Sequence, residues 1–164
     1  MSRTAALDLL NRYYAAFNAG DNAGMLACLS EDVAHDINQG ARETGRDAFG
    51  RFLAHMDRCY REQLHDIVVM CSADGRRGAA EFVVEGTYLV TDAGLPPARG
   101  QTYRLPAGTF FELRDGQVRL TRALLTSPSA LSGAATGAIG KVFRAPKESV
   151  AGSLRRASFS SRPS

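Results

Sequence analysis

Ionisable and apolar side chains are interleaved in residues 33–40, Val-Ala-His-Asp-Ile-Asn-Gln-Gly. His35 is a candidate general acid or base, because an imidazole titrates near neutral pH. A lone histidine on an apolar face is also a common hydrogen-bonded core residue, and both interpretations stay open. Asp36 is either a proton-transfer group whose pKa is tuned by burial, or an outward residue in a salt bridge or loop cap. If the chain has a reactive pocket, we expect its polar lining to begin here.

Further candidates for the walls of such a pocket are aromatic and amide side chains. Tyr13 lies on the apolar stripe of a predicted helix, so its hydroxyl needs a partner, which is either a ligand oxygen or another side chain. Asn38 is either a turn former or a polar contact at the mouth of the pocket. The other predicted pocket-lining residues are Phe17, Ile37, Phe52, Tyr88, Tyr103 and Phe110. Both of these tyrosines could equally serve packing alone.

The spacing of potential ligand residues does not indicate a metal or a cofactor. The three histidines fall on separate predicted elements, and the three cysteines include no Cys-x-x-Cys pair. No glycine-rich phosphate loop of the nucleotide-binding types is present in the sequence. We therefore expect no metal and no cofactor, and cysteines that are reduced and mostly buried.

The distribution of charge argues against a nucleic-acid partner. The net charge of the 164 residues is +3, but residues 1–126 contain 14 Arg, no Lys and 16 Asp or Glu, which leaves that part slightly acidic. The basic residues are concentrated in 127–164, so the predicted domain has no electrostatic footprint for DNA or RNA. No run approaches the roughly 18 to 20 apolar residues of a membrane span, and the N-terminus lacks the apolar core of a signal peptide. We expect a cytoplasmic protein.

The periodicity of apolar residues predicts three helices followed by strands. Helices are predicted over residues 3–19, 22–29 and 46–60, and a short strand over 33–37, with a loop at 38–45. Alternation and β-branched residues then predict strands at 63–72, 78–91, 101–114 and 117–125, with Asp-Gly turns between two of the pairs. The predicted fold class is α+β, in which three N-terminal helices pack on one face of a curved antiparallel sheet.

Residues 66–71 are largely apolar on both strand faces, with Val68 and Met70 on one side and Ile67, Val69 and Cys71 on the other. A sheet that buries one face only should alternate more cleanly. Helices on one face and a second subunit on the other would explain the pattern, and so would a central strand. The expected partner is a second copy, in a homodimer formed through the sheet.

Residues 127–164 do not fit the domain predicted for residues 1–126. Nine of these 38 residues are serine, half of the apolar ones are alanine, and prolines interrupt any long helix. This composition predicts a disordered tail. The tail is either a true appendage or the product of a reading-frame change.

One segment, with the strand, third helix and meander that follow it, resembles the nuclear transport factor 2-like superfamily of cone-shaped α+β barrels, and three further segments resemble its ketosteroid isomerase-related subgroup. They are, in this order, residues 11–21 (Asn-Arg-Tyr-Tyr-Ala-Ala-Phe-Asn-Ala-Gly-Asp), 35–40, 85–88 (Glu-Gly-Thr-Tyr) and 104–111 (Arg-Leu-Pro-Ala-Gly-Thr-Phe-Phe). Within the superfamily, the chain is most similar to the SnoaL-like and ketosteroid isomerase-related proteins. The resemblance covers about residues 3–125.

The resemblance implies a chemistry that this chain matches only in part. Ketosteroid isomerase uses an Asp base, a Tyr and a protonated Asp. Tyr13 matches that Tyr, whereas the base falls on Ile37 and the protonated Asp falls near Gly108. Asp36 is one residue early, which on a strand turns its side chain to the opposite face. Steroid isomerisation by that mechanism is therefore not expected.

The superfamily contains isomerases, polyketide cyclases, dehydratases and epoxide hydrolases as well as members without known catalysis, so the fold alone does not define a reaction. The implied activity is cofactor-free proton transfer on a hydrophobic carbonyl-type substrate, of the isomerase, cyclase or dehydratase kind. His35 or Asp36 would act as the base, and Tyr13 would donate a hydrogen bond to the oxyanion. The alternatives are a non-catalytic module that binds an apolar ligand, and a dimeric scaffold whose cavity is closed by Phe17, Phe52 and Phe110.

Overall fold

A computed structural model describes residues 1–36 and 42–125. In these ranges the fold is α+β, with the three predicted helices and the predicted antiparallel meander. The segment 37–41 and the predicted tail lie outside the described residues. The elements are α1 (Arg3–Ala19), α2 (Asn22–Ala27), β1 (Leu29–Asp36), β2 (Arg42–Thr44), α3 (Arg46–Cys59), β3 (Tyr60–Cys71), β4 (Arg77–Tyr88), β5 (Thr102–Arg114) and β6 (Gln117–Leu125).

Local side-chain chemistry sets the ends of the first two helices. The Ser2 hydroxyl accepts a hydrogen bond from the backbone N–H of Ala5, which satisfies one of the free donors at the start of α1. Gly20 ends the helix in a left-handed conformation with φ of 67°, which favours glycine over residues that carry a Cβ atom. Asp21 then caps α2 by accepting from the N–H of Gly24 at 2.8 Å. These signals place α1 and α2 in a helical hairpin.

The six strands form one curved, unclosed sheet in the order β2-β1-β6-β5-β4-β3. β3 to β6 pair antiparallel, as predicted, but β1 pairs parallel with β6 and antiparallel with β2. The strand β2 falls in a segment predicted to be a loop, and this prediction was wrong for residues 42–44. Because β2 and β3 lie at opposite edges, the described strands do not close the barrel that the resemblance implied.

The sheet has an inner face, which packs against the helices, and an outer face on the opposite side. Along β4 every second residue from Gly78 to Tyr88 is buried, and along β5 the same holds from Tyr103 to Leu113. The outer face exposes three large apolar side chains, Val68, Met70 and Phe110, which are 55%, 48% and 49% exposed. Both faces of β3 thus carry apolar side chains, but Val68 and Met70 on the outer face are exposed in the single chain.

Among the helices in the described ranges, none is both long enough and apolar enough to cross a membrane. The expected cytoplasmic location stays a prediction.

Candidate active site

A cavity of about 480 Å³ lies between the helices and the inner face of the sheet. Its walls are mostly apolar, and its mouth reaches the surface at the exposed residues Gly20, Asp57, Arg61 and Leu89. A few polar side chains interrupt the apolar lining, which is the usual composition of a small-molecule site. Those polar residues include Tyr13, Asn18, His35, Glu62, Tyr103, Thr109 and Thr121.

His35 lies on the inner face of β1 and lines the cavity. Its ring packs against Phe49 and Phe52, with ring centroids 4.7 and 4.6 Å away, and the residue is 6% exposed. Nδ1 is buried and has no hydrogen-bond partner among the described residues. Burial lowers the pKa of His35 to about 4, although the negative charge of Asp36 opposes the shift. The imidazole is therefore neutral at pH 7.

Asp36 points to the opposite face of β1, as strand alternation requires. Arg42 donates to it at 2.7 and 3.1 Å, and Arg122 donates at 2.9 and 2.7 Å. The hydrogen bond from Arg42 is the main reason that the pKa of Asp36 is lowered to about 2, with Arg122 adding to the shift and burial opposing it. Of the two candidates on β1, the structure places His35 in the cavity and Asp36 in an outward salt bridge.

Tyr13 reaches the cavity from α1. Its ring makes edge contacts with Tyr14 and Phe111, at centroid distances of 5.4 and 5.8 Å. Burial raises the pKa of Tyr13, so the phenol keeps its proton and can act as a hydrogen-bond donor. The adjacent Tyr14 hydroxyl is buried without a hydrogen-bond partner in the described part of the chain. The nearby side chain of Thr109 lowers the pKa of Tyr14 and so partly opposes the rise caused by burial. The distance or angle between Thr109 and the Tyr14 hydroxyl does not meet the geometry of a hydrogen bond.

Glu62 and Tyr103 form a polar pair at the cavity wall; Tyr103 was a predicted lining residue, whereas Glu62 was not predicted from the sequence. Glu62 lies on the same side of β3 as the buried residues Tyr60 and Leu64, and the Tyr103 hydroxyl donates to its Oε1 at 2.5 Å. Burial raises the pKa of Glu62, while the hydrogen bond from Tyr103 lowers it. The Tyr103 ring lies over Gly86, its cross-strand partner, where an added Cβ atom would come within 2.2 Å of Cζ. The glycine leaves the space that this ring occupies.

Asn18 holds the C-terminal end of α1 against β3 beside this pair. Its side-chain amide donates to the carbonyl of Leu64 and accepts from the N–H of the same residue, both at 2.9 Å. Because β3 is at the edge of the sheet formed by the described strands, these bonds satisfy backbone groups that none of those strands reaches. The result is a fixed wall at this side of the cavity.

The predicted pocket-lining set is only partly assembled. Phe17, Phe52 and Tyr103 line the cavity together with Tyr13 and His35. The Tyr88 ring instead stacks on Tyr60 at 5.2 Å, and its hydroxyl accepts from the N–H of Asp92. Phe110 lies on the outer face, because its neighbour Phe111 occupies the inner position. The predictions for Tyr88 and Phe110 were therefore wrong, and Ile37 and Asn38 lie outside the described residues.

One group of potential metal ligands occurs in the described ranges. Single ligand atoms of His55, Cys59 and Asp92 lie within 4.8 Å of one another. Arg58 lies 3.2 Å from Nδ1 of His55 and can only donate, so Nε2 carries the ring proton toward Asp92, 3.1 Å away. In this state His55 presents no free lone pair to a cation, and the Arg58 charge lies beside it. The arrangement is a hydrogen-bond network at the end of α3.

Comparison with known proteins identifies the family of the chain. The family model of the SnoaL-like domain matches residues 10–121. The chain therefore belongs to the SnoaL-like family, which confirms the resemblance drawn from its motifs. Among functionally curated proteins, a sequence search gives no match.

Solved structures of similar proteins share the fold. A proposed polyketide cyclase from Xanthomonas campestris pv. campestris is 56% identical, with a TM-score of 0.72 over 74% of this chain and 90% of that one. A second, from Pseudomonas putida KT2440, is 56% identical, with a TM-score of 0.73 over 77% and 92% of the two chains. A phenazine biosynthesis-related protein from Pseudomonas aeruginosa shares the fold, with 19% identity and a TM-score of 0.62 over 76% and 80%.

Proposed function

We propose that the chain is a SnoaL-type enzyme that catalyses cofactor-free proton transfer beside the carbonyl group of an apolar substrate. The observation that carries this proposal is the cavity, which is mostly apolar but has His35 and Tyr13 in its lining. The similarity to two proposed polyketide cyclases supports the same substrate class. Isomerisation, cyclisation and dehydration all begin with this proton transfer.

The chemistry depends on groups that stabilise the negative oxygen formed when a proton leaves carbon. Tyr13 keeps its hydroxyl proton because burial raises its pKa, and His35 is neutral because burial lowers its pKa. A neutral imidazole is a competent hydrogen-bond donor to an enolate oxygen. Asp36, the other predicted base, lies on the outer face in an ion pair with Arg42 and Arg122 and is given no role in this proposal.

The test uses 2-tetralone, an apolar bicyclic ketone with acidic C–H groups beside its carbonyl. In D₂O near neutral pH, ¹H NMR follows the loss of these C–H signals with and without protein. We expect catalysed exchange by the native chain and a loss of about 10²–10³-fold in Tyr13→Phe and in His35→Asn, since each removes one oxyanion donor. Asp36→Asn is the control and should exchange at the native rate.

A non-catalytic binding module is the alternative function, and it is favoured by the packing of His35 between two phenylalanine rings, with no hydrogen-bond partner for Nδ1 in the described ranges. Saturable binding of 2-tetralone without exchange above the buffer rate would support this alternative and refute the enzyme. A scaffold with a filled cavity receives no support, because Phe110 faces outward and the cavity remains.

We also propose that two copies pair through the outer face of the sheet. In the strand register, Met70 of β3 lies beside Ala79 of β4, which lies beside Phe110 of β5. This apolar row is flanked by the ion pair between Arg77 and Glu112. An apolar centre with a charged rim is typical of subunit interfaces.

Native mass spectrometry and sedimentation test the pairing. The native chain should be a dimer, and the double variant Met70→Lys with Phe110→Lys should be a monomer. Val90→Lys is the matched control, because Val90 is 46% exposed but follows the end of β4 and lies off the sheet face. A native monomer, or a double variant that still dimerises, would contradict the proposal.

A further inference from the structure

Among the described residues, two carboxyl groups line the cavity: Asp57, at the exposed mouth, and Glu62, away from it. The activity proposed above gives Glu62 no role. Glu62 reaches the cavity because β3 begins directly after α3, at Tyr60, so that residues 60, 62 and 64 share the inner face. The other titratable or charged groups in the lining are Tyr13, Tyr14, His35, Asp57, Tyr60, Arg61 and Tyr103. Asp57 and Arg61 are exposed at the mouth.

We propose that Glu62 is the catalytic base of the cavity and that Tyr103 is its positioning residue, an assignment that rests on the function proposed above. The Tyr103 hydroxyl donates to Oε1 of Glu62 at 2.5 Å, and within residues 1–36 and 42–125 no hydrogen bond to Oε2 is formed. Gly86 leaves the space for the Tyr103 ring on the neighbouring strand. Three strands thus fix the carboxyl group at the cavity wall.

The proposed step moves one proton and one electron pair. The Glu62 carboxylate takes a proton from the carbon beside the substrate carbonyl, and the C–H bond breaks. Its electron pair forms the carbon–carbon double bond of an enolate, whose oxygen accepts hydrogen bonds from Tyr13 and His35. Glu62, now a carboxylic acid, returns the proton to a carbon of the enolate and regenerates the carbonyl group. Isomerisation by this route needs no oxidant, reductant or cofactor.

The electrostatics of the two walls agree with this division of roles. Burial raises the pKa of Glu62 and lowers the pKa of His35. A base is most effective when its pKa lies near the working pH, so the raised pKa makes Glu62 the stronger base of the two. The Tyr103 hydrogen bond favours the carboxylate and limits the rise, which keeps the group ionisable.

The experiment measures 2-tetralone exchange in D₂O by ¹H NMR for the native chain and for Glu62→Gln. The Gln amide oxygen can still accept from Tyr103, so the fold should survive, and circular dichroism checks this. We expect exchange to slow by about 10²–10⁴-fold, the usual contribution of a general base. Glu85→Gln is the control, because Glu85 is an exposed outer-face carboxylate on β4 and should leave the rate unchanged.

Tyr103→Phe separates positioning from packing. The native rate should rise with pH as Glu62 loses its proton, and loss of the Tyr103 hydrogen bond should move the midpoint of that rise to higher pH. A lower rate at every pH with an unchanged midpoint would refute the positioning role.

The outcomes also separate this assignment from the function on which it rests. Catalysed exchange that Glu62→Gln leaves intact overturns the role of Glu62 and keeps the proposed function. If native protein binds 2-tetralone, shown by ligand-dependent shifts in its own NMR spectrum, but does not exchange it, both proposals are wrong. Exchange that is lost in Glu62→Gln and kept in Glu85→Gln supports both.

Discussion

The inner and outer faces of the same sheet treat ionisable groups in opposite ways. On the inner face, burial dominates: it lowers the pKa of His35 and raises that of Glu62, so both neutral forms are favoured. On the outer face, hydrogen bonds from Arg42 and Arg122 lower the pKa of Asp36 and favour its charged form. His35 and Asp36 are consecutive, so strand alternation alone decides which environment each side chain meets. Whether the neutral or the charged form of a residue is favoured therefore depends on the face on which the residue lies.

The largest expected difference between the faces concerns two consecutive phenylalanines on β5. Phe111 is 1% exposed and packs against Tyr13 and Tyr14, whereas Phe110 is 49% exposed on the outer face. Phe111→Ala should lower the free energy of unfolding by about 3–5 kcal/mol, the usual cost of deleting a buried phenyl ring. Phe110→Ala should cost much less in urea unfolding at a protein concentration low enough to populate the monomer. If Phe111→Ala and Phe110→Ala lower the free energy of unfolding equally, the two faces do not differ in how much their phenylalanines stabilise the fold.

A smaller effect is expected from the acid titration of His35. Its pKa is about 4 in the folded chain and near 6.5 when unfolded, so the unfolded state binds more protons between these values. Stability should therefore fall as the pH is lowered from about 6.5 to 4, by about 2–3 kcal/mol in total from this group. Urea unfolding at several pH values measures the slope, and His35→Gln should flatten it.

His65→Gln is the matched control for this titration. His65 lies on β3 and is exposed, 3.6 Å from Glu85. The slope between pH 4 and 6.5 should persist in His65→Gln. If His65→Gln removes the slope and His35→Gln does not, the acid sensitivity belongs to the outer face, and His35 is not held neutral by burial.

Strand alternation explains which parts of the site could be predicted from sequence. Val33 and His35 share parity with a buried run, which correctly indicated the inner position of His35. Residues 110 and 111 are both phenylalanine, so the alternation of apolar and polar residues did not indicate which of them faces inward. Phe110 was therefore assigned to the wrong face. Glu62 was missed because β3 was predicted to start at residue 63. No glycine or proline separates α3 from β3, and the helical apolar spacing therefore ran on through residue 60.

Long-range pairing explains the rest of the differences. The helix α1 was predicted with its observed bounds, because its apolar stripe and Gly20 are local signals. The parallel pairing of β1 with β6 joins residues 29–36 to 118–122, and no local pattern specifies such a partner. The same is true of the ion pair between Asp36 and Arg122. Its strength could be read only from the folded chain.

The smallest expected effect concerns that ion pair. The pKa of Asp36 is lowered to about 2, so the pairing stabilises the fold above the unfolded pKa near 3.9 and is lost as the pH falls from about 4 to 2. Asp36→Asn should cost about 1 kcal/mol at pH 7, because both arginines are roughly half exposed and solvent screens the interaction. Asp32→Asn breaks a more exposed pair with Arg119 and should cost less. Urea unfolding at pH 7 and near pH 2 measures both variants. A cost for Asp36→Asn that persists near pH 2 would assign the stabilisation to packing rather than charge, and would remove the electrostatic contrast between the two faces.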